Sequence, residues 1–293
     1  MPEGDTLRRL ATRITDRFAG CAVTRSVMRD PRLALVDLAG RTLTGADAYG
    51  KHLFVRFDDR HTLHAHLLMT GSFAVGAPSR EPEWKRRAEL WLGGGRLTAE
   101  SVPLLELIGT ADEAAITARL GPDLCAVAGP PDPAGIADRM GAVAADQPLA
   151  AALLDQRIVA GFGNLYANDV PFICGVGAHQ PVGTITGLPE LVAVGTALIR
   201  TNAERGPQNT TGRRLATDAR WVHGAAPGRC AVCGARLRHE AARQSGWGRS
   251  ITWCPDCQPT VARRSVDVGR VHRLIGLHPA AKQPGFPARP TGS

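Results

Sequence analysis

The segments Cys230-Ala231-Val232-Cys233-Gly234 and Cys254-Pro255-Asp256-Cys257-Gln258 stand twenty residues apart near one end of the chain. Two C-x2-C pairs at this spacing dictate how that end folds. Each pair sits on a tight turn that lets two thiolates approach one ion, and four sulfurs close a tetrahedral structural zinc site with no position open for catalysis. Such a ribbon cannot bury a core of its own, so metal binding supplies its folding free energy. Between the pairs, Arg243-Gln244-Ser245-Gly246-Trp247-Gly248-Arg249-Ser250 is expected to form a hairpin tip. An arginine beside glycines on an exposed tip can reach a phosphate with both arms of its guanidinium. A solvated charge is the other reading that the residues leave open for Arg249.

Outward from this segment, 293 residues with 44% hydrophobic content suffice for about two cored domains. The net charge of +8 fits a polyanionic partner. Thirty-two of the thirty-five cationic side chains are arginines and only Lys51, Lys85 and Lys282 are lysines, so a lysine here is expected to have a reason. No apolar run approaches the roughly 18 residues of a membrane span, and Arg8, Arg9, Arg13 and Arg17 interrupt any signal core. The expectation is a soluble, cytoplasmic protein. In a reducing compartment the four clustered cysteines favour metal over disulfides. Cys21, Cys125 and Cys174 are scattered and expected to be small buried hydrophobes.

Leu7, Leu10, Ile14 and Phe18 recur at helical spacing over residues 3–18. Strand-like runs follow at 22–28, 33–36, 52–57, 61–68, 71–75 and 96–98, which predicts a β-rich first domain with the helix against its sheet. Residues 126–135 read as a linker, and helices are expected near 147–157, 165–173 and 187–204. The turn Gly161-Phe162-Gly163-Asn164 opens the second of these. Amides at a helix start, with an asparagine side chain, suit a phosphate; helix capping is the alternative for Asn164. Residues 261–293 carry arginines, prolines and a single Asp267 and are expected to form a basic, disordered tail.

The chain opens Met1-Pro2-Glu3-Gly4. Removing Met1 would leave a terminal secondary amine, and an α-amino group titrates near pH 8. Such an amine attacks an aldehyde-level carbon to give an iminium, the covalent logic of a Schiff base, and Glu3 is placed to relay protons. A frayed end is the alternative.

Taken in order, these features resemble the formamidopyrimidine-DNA glycosylase/endonuclease VIII family of base-excision repair enzymes over residues 1 to about 258. The motifs that carry the resemblance begin with Met1-Pro2-Glu3-Gly4, Gly50-Lys51-His52-Leu53, His64-Ala65-His66-Leu67-Leu68-Met69-Thr70-Gly71 and Leu120-Gly121-Pro122-Asp123-Leu124. They continue with Leu154-Asp155-Gln156-Arg157-Ile158-Val159-Ala160-Gly161-Phe162-Gly163-Asn164-Leu165-Tyr166 and Gly248-Arg249-Ser250-Ile251-Thr252-Trp253-Cys254.

The resemblance implies an α+β multidomain fold: an N-terminal β-sandwich with flanking helices (residues 1–128), a helix–two-turn–helix domain (136–225) and a zinc finger (226–260), with DNA in the cleft between. It implies a bifunctional glycosylase/AP lyase acting on DNA with oxidised bases or abasic sites, working as a monomer at the bacterial nucleoid. Pro2 matches the nucleophile that attacks C1′ of a flipped nucleoside, and Glu3 matches the acid that assists sugar-ring opening. Lys51, Asn164 and Arg249 match the phosphate-holding residues. Met69 matches a wedge that fills the hole left by the flipped base; an ordinary core methionine is the other reading.

The chain also departs from the family. Asp5-Thr6 stands where much of the family has Pro-Glu, which puts a secondary acid in doubt. Asn168-Asp169 replaces the more usual Asp-Glu, a change compatible with neutrality. Leu107-Ile108-Gly109-Thr110 stands where the purine-lesion branch carries Arg-Arg-Phe-Gly. With Met-Pro-Glu-Gly, this favours the endonuclease VIII branch and oxidised pyrimidines. The twenty-residue spacer is longer than the common one. Two other classes remain on these residues: a lesion-binding protein that kept the scaffold but lost base excision, and an unrelated zinc-ribbon protein.

Overall fold

The structure is a computed structural model that describes residues 2–290. It divides into two compact units, up to Arg119 and from Leu120 onward.

In the first unit, α1 (Gly4–Phe18) is followed by β1 (Cys21–Met28), β2 (Thr42–Tyr49), β3 (His52–Phe57), β4 (His61–His66), β5 (Ser72–Gly76), β6 (Arg86–Leu92), β7 (Gly95–Glu100), β8 (Leu104–Gly109) and the short helix α2 (Glu113–Thr117). The strands pair antiparallel in the order β5-β7-β6-β1-β2-β3-β4-β8. β1 makes the corner of the sandwich. Its first residues, Cys21 and Ala22, pair with β2, and from Val23 onward it pairs with β6 across a bulge. A bulged strand that changes partner turns one sheet over on itself. The apolar stripe Leu7, Leu10, Ile14 and Phe18 of α1 joins Leu43, Leu53, Val55, Leu63, Leu90, Leu97 and Leu105 in the core.

The strand expected at 33–36 does not form. Pro31–Leu33 is a 3-10 turn instead, started by the Asp30 side chain accepting from Arg32 N, because an Asx cap followed by proline favours a turn over a ladder. β2, β6 and β8 go beyond the predicted runs. In β6 a buried Glu89 breaks the apolar pattern, and it is held by Arg29 (2.6 Å), Arg96 (3.1 Å) and Arg86 (3.4 Å). A carboxylate so deeply placed needs such partners to offset its desolvation.

The second unit contains α3 (Pro133–Ala144), α4 (Leu149–Leu154), α5 (Asn164–Cys174), β9 (Ile185–Thr186), α6 (Leu188–Arg205), β10 (Arg238–Glu240), β11 (Ile251–Trp253), β12 (Arg264–Ser265) and α7 (Val268–Ile275). α5 is buried along its whole length and is the axis of this unit. α3 starts within the expected linker, capped by Asp132. β10 and β11 form the expected hairpin.

The tail is a correction. Residues 264–265 pair parallel with β9, Asp267 caps α7, and Val271 and Ile275 are buried in the core of the unit. The basic residues around them mask an apolar i, i+4 pair that is too short to register as periodicity. Among the described residues no helix is long and apolar enough to cross a membrane.

Candidate active site and metal centre

The predicted residues fall into two sets, one on each unit. On the first unit, Pro2 is half-buried directly ahead of α1. Glu3 is the N-cap residue, 1% exposed, and its carbonyl accepts from Thr6 N (2.9 Å) and Leu7 N (3.1 Å). Asp5 is fully buried in the first turn, where its carboxylate accepts from Thr6 N at 2.6 Å and suits the positive end of the helix dipole. Met1 lies outside the described residues.

Lys51 is the second central residue of the two-residue turn that joins β2 to β3. Gly50 precedes it at φ 55, in the place where a II′ hairpin turn takes glycine. The pair Tyr49 and His52 closes this turn.

Met69 is 60% exposed beside an equally bare Leu68, which adopts φ 46. The loop is cinched by Gly71 N donating to Leu67 O (2.8 Å), and a Cβ on Gly71 would fall 2.8 Å from that oxygen. Met69 is therefore a projecting side chain and not a core methionine.

Three histidines line the sheet beside Lys51. His52, His64 and His66 lie on the face opposite the apolar core residues Leu53, Leu63 and Ala65. His52 Nδ1 is 2.9 Å from His64 Nε2, and His64 Nδ1 is 2.8 Å from Glu106 Oε1 on β8. His66 Nδ1 accepts from Leu68 N at 3.2 Å. Burial, with the neighbouring His66 and His64, pushes His52 down to about 3. Burial, then the Lys51 charge and His64, pushes His66 down to about 4. Both are neutral at pH 7. The sequence reading missed this group, although its signal was available: His64 and His66 at strand spacing, with His52 across a hairpin.

On the second unit, Gln156 pins the turn ahead of α5, accepting from Gly161 N (3.0 Å) and donating to Phe162 O (2.9 Å). Asn164 opens α5 at 6% exposure. Its Nδ2 lies 3.4 Å from Ser250 Oγ, and its buried Oδ1 has no partner among the described residues. Its side chain does not cap the helix. Arg249 is exposed on the hairpin tip between Gly248 and Ser250, with Gly246 and Gly248 at φ 76 and 72. The tip is seated by Trp247, 5.6 Å from the His179 ring. Asn168 ties β11 to α5: its Oδ1 accepts from Thr252 N (2.7 Å), and its Nδ2 donates to Asn164 O (2.6 Å). The structure thus brings Asn164 and the residue next to Arg249 together. It also shows Asn168 and Ser250 as joints that the motif reading passed over.

The ligating atoms of Cys230, Cys233, Cys254 and Cys257 all lie within 4.8 Å of one another, and Cys230 and Cys254 are buried. Four soft donors converging on one point fit a metal ion. Of the other cysteines, Cys125 and Cys174 are buried as expected, while Cys21 is only half-buried.

The chain is similar to known proteins along most of its length. The sequence pattern of the formamidopyrimidine-DNA glycosylase N-terminal domain matches residues 1–100. A probable endonuclease 8 2 of Streptomyces coelicolor is 37% identical, over 90% of this chain and 96% of its own length. The DNA-(apurinic or apyrimidinic site) lyase Nei2 of Mycolicibacterium smegmatis is 35% identical, over 88% and 99%. The crystal structure of the Lactococcus lactis formamidopyrimidine-DNA glycosylase on DNA with an AP site superposes with a TM-score of 0.73 at 20% identity, covering 88% of this chain and all of that one. With its N-terminal Pro2-Glu3, its Lys51 turn and its four-cysteine centre, the chain belongs to the formamidopyrimidine-DNA glycosylase/endonuclease 8 family.

Proposed function

We propose that this chain is a bifunctional DNA glycosylase and AP lyase of the endonuclease 8 kind, with Pro2 as its nucleophile once Met1 is removed. The observation that carries the reading is the N-terminus itself: Pro2 stands directly ahead of α1, and Glu3 is a buried N-cap whose side chain does not cap the helix. Attack uses the lone pair of that nitrogen, which stands at the positive end of the α1 dipole. The Pro2 nitrogen attacks C1′, the glycosidic bond breaks, and Glu3 protonates the opening sugar oxygen. The resulting iminium acidifies the C2′ proton. Its loss expels the 3′ phosphate, a second elimination releases the 5′ phosphate, and water returns the free amine.

Lys51 and Arg249 supply cations for the phosphates around the lesion. Asn164, with its unpartnered Oδ1 and a donor amide, adds a neutral contact. Met69, exposed on its loop, fills the space of the flipped base. The metal is zinc. A tetrahedron with Zn–S bonds of about 2.3 Å has edges of about 3.8 Å, and the sulfur separations are 3.8 Å for Cys230–Cys257 and 3.4 Å for Cys233–Cys254. Its role is structural: it holds the hairpin that carries Arg249. The kinship with endonuclease 8 proteins and the sequence Leu107-Ile108-Gly109-Thr110 support oxidised pyrimidines as substrates. The enzyme works as a monomer on the bacterial nucleoid.

Borohydride trapping on an abasic oligonucleotide tests the reading. The parent should form a covalent adduct that maps to Pro2. Pro2→Gly should impair catalysis with zinc and DNA affinity retained, and one residue left ahead of Pro2 should abolish trapping. Glu3→Gln should lose excision of damaged bases far more than cleavage at preformed abasic sites, which skips glycosidic-bond scission. An adduct on any other residue overturns the assignment, and no adduct at all would make the chain a lesion-binding scaffold without base excision.

A further inference from the structure

The row Phe54, His64 and Glu106 crosses three neighbouring strands in register, with Phe54 opposite His64 and His64 opposite Glu106. His64 is 2% exposed; its ring stacks on Phe54 at 5.1 Å, 16° from parallel, and lies edge to edge with the near-coplanar His52 ring, centroids 5.2 Å apart, as their 2.9 Å N···N contact requires. His66 meets the edge of His52 at 4.9 Å. The hydrogen bonds leave one arrangement for neutral rings. A carboxylate only accepts, so His64 Nδ1 donates to Glu106 and its Nε2 is left as a lone pair. That lone pair must take a hydrogen from His52 Nδ1. The carboxylate therefore sets the tautomer of two successive imidazoles, and the second belongs to the pair that closes the Gly50-Lys51 turn. Lys51 faces this row from its own sheet, and burial, then the Lys51 charge, keeps His66 neutral.

We propose that Glu106, His64 and His52 form a tautomer-locked relay that fixes the Lys51 turn, making His64 a positioning residue for Lys51. The proposal rests on the reading of Lys51 as a phosphate contact. His52 is clamped by its hydrogen bond to His64 and its edge contact with His66, which holds the base of the turn, and the ammonium meets its anion pre-oriented. Long lysine side chains otherwise lose freedom on binding, and removing that cost by pre-organisation raises affinity.

His64→Phe keeps the stacking and removes both hydrogen bonds. It should weaken binding to DNA carrying a reduced abasic analogue about tenfold, the scale of one mispositioned charge contact, with the melting temperature near that of the parent. In a Lys51→Ala background the same change should add less than about twofold, because contacts in one unit are not additive. Glu106→Gln retains an acceptor for His64 Nδ1 and should stay within about threefold of the parent, whereas Glu106→Leu should match His64→Phe. Long-range 1H–15N spectra of the DNA-free protein should show Nδ1–H on both His64 and His52. The Gly50 and Lys51 amides should lose order in His64→Phe, with order parameters falling from about 0.85 towards about 0.6.

Additive losses in the double variant, or parental binding by His64→Phe, overturn the relay. So does an Nε2–H tautomer on His64, or unchanged order at Lys51 in the variant. If the parent itself fails to bind or trap DNA, the proposed function fails, and the tautomer and order measurements still decide the relay.

Discussion

Asp169 offers a strong test of how the second unit is held. It is fully buried, and its carboxylate accepts from Trp221 N (2.9 Å), Val222 N (3.0 Å), His223 N (2.9 Å) and the Thr210 hydroxyl. One side chain on α5 thus fastens both ends of the segment that runs from Thr210 to His223. Asp169→Ala would strand three backbone donors, at about 1–3 kcal/mol each if they stay buried, or about 3–9 kcal/mol in all. The segment has an escape: it can lift away and hydrate its amides at the cost of exposing Trp221 and Val222, which are 6% and 0% exposed. At about 1.5–3 kcal/mol per side chain, that route caps the loss at about 3–6 kcal/mol. The expected destabilisation is therefore about 4 kcal/mol, and at about 2–4 °C per kcal/mol for a unit of this size the melting transition should fall by about 10 °C. Asp169→Asn keeps one acceptor and should lose about half as much. Hydrogen exchange read by mass spectrometry separates the two routes, because lifting the segment exposes the amides of residues 221–223 while the α5 amides stay protected. Parental protection at 221–223 together with a loss below 1 kcal/mol would refute the reasoning.

Lys51→Ala and Arg249→Ala should each flatten the slope of log affinity against log salt by about 0.9, so that a fourfold rise in salt costs each variant about 3.5-fold less affinity than the parent. Asn164→Ala should weaken binding with little change in slope, and unchanged slopes in both charge variants would mean that neither cation meets a phosphate. Val271→Ala should cost about 2 kcal/mol in urea unfolding, because Val271 is fully buried; a loss under 0.5 kcal/mol would return the tail to the disordered class. His52 and His66 lie at about 3 and about 4 against an ordinary 6.5, so the unfolded chain binds protons first as the pH falls. Their contribution to stability is complete above pH 6.5 and is lost progressively as the pH falls from there to about 3. Unfolding midpoints at pH 7 and pH 5 should differ less in His66→Gln than in the parent.

Much of the first unit was legible in its residues, and the misses have physical causes. Four apolar positions on one face mark α1, and strand-like runs set off by Gly and Asp-rich turns mark β1, β3, β4, β5 and β7. β6 was missed because Glu89 looks like a surface charge until Arg29, Arg86 and Arg96 close around it from separate parts of the chain. The apolar residues at 33–36 suit a strand, but Asp30 and Pro31 just ahead of them set a 3-10 turn that acts first. The fold of 261–293 was hidden because Val271 and Ile275 count as a core pair only once they have a surface to bury against.

By itself the sequence determined the local and the covalent: four thiols on two turns, an N-terminal proline beside an acid, a lysine after a turn glycine, and an asparagine at a helix start. Each follows from near neighbours and so survives without a fold. Only the tertiary structure decided which side chains fasten those pieces. It set Asn168 between α5 and β11, Asp169 under the 210–223 segment, and His64 between Glu106 and His52. These joints pair residues up to 84 positions apart. A polar side chain declares its partner only when folding removes the water that would otherwise satisfy it.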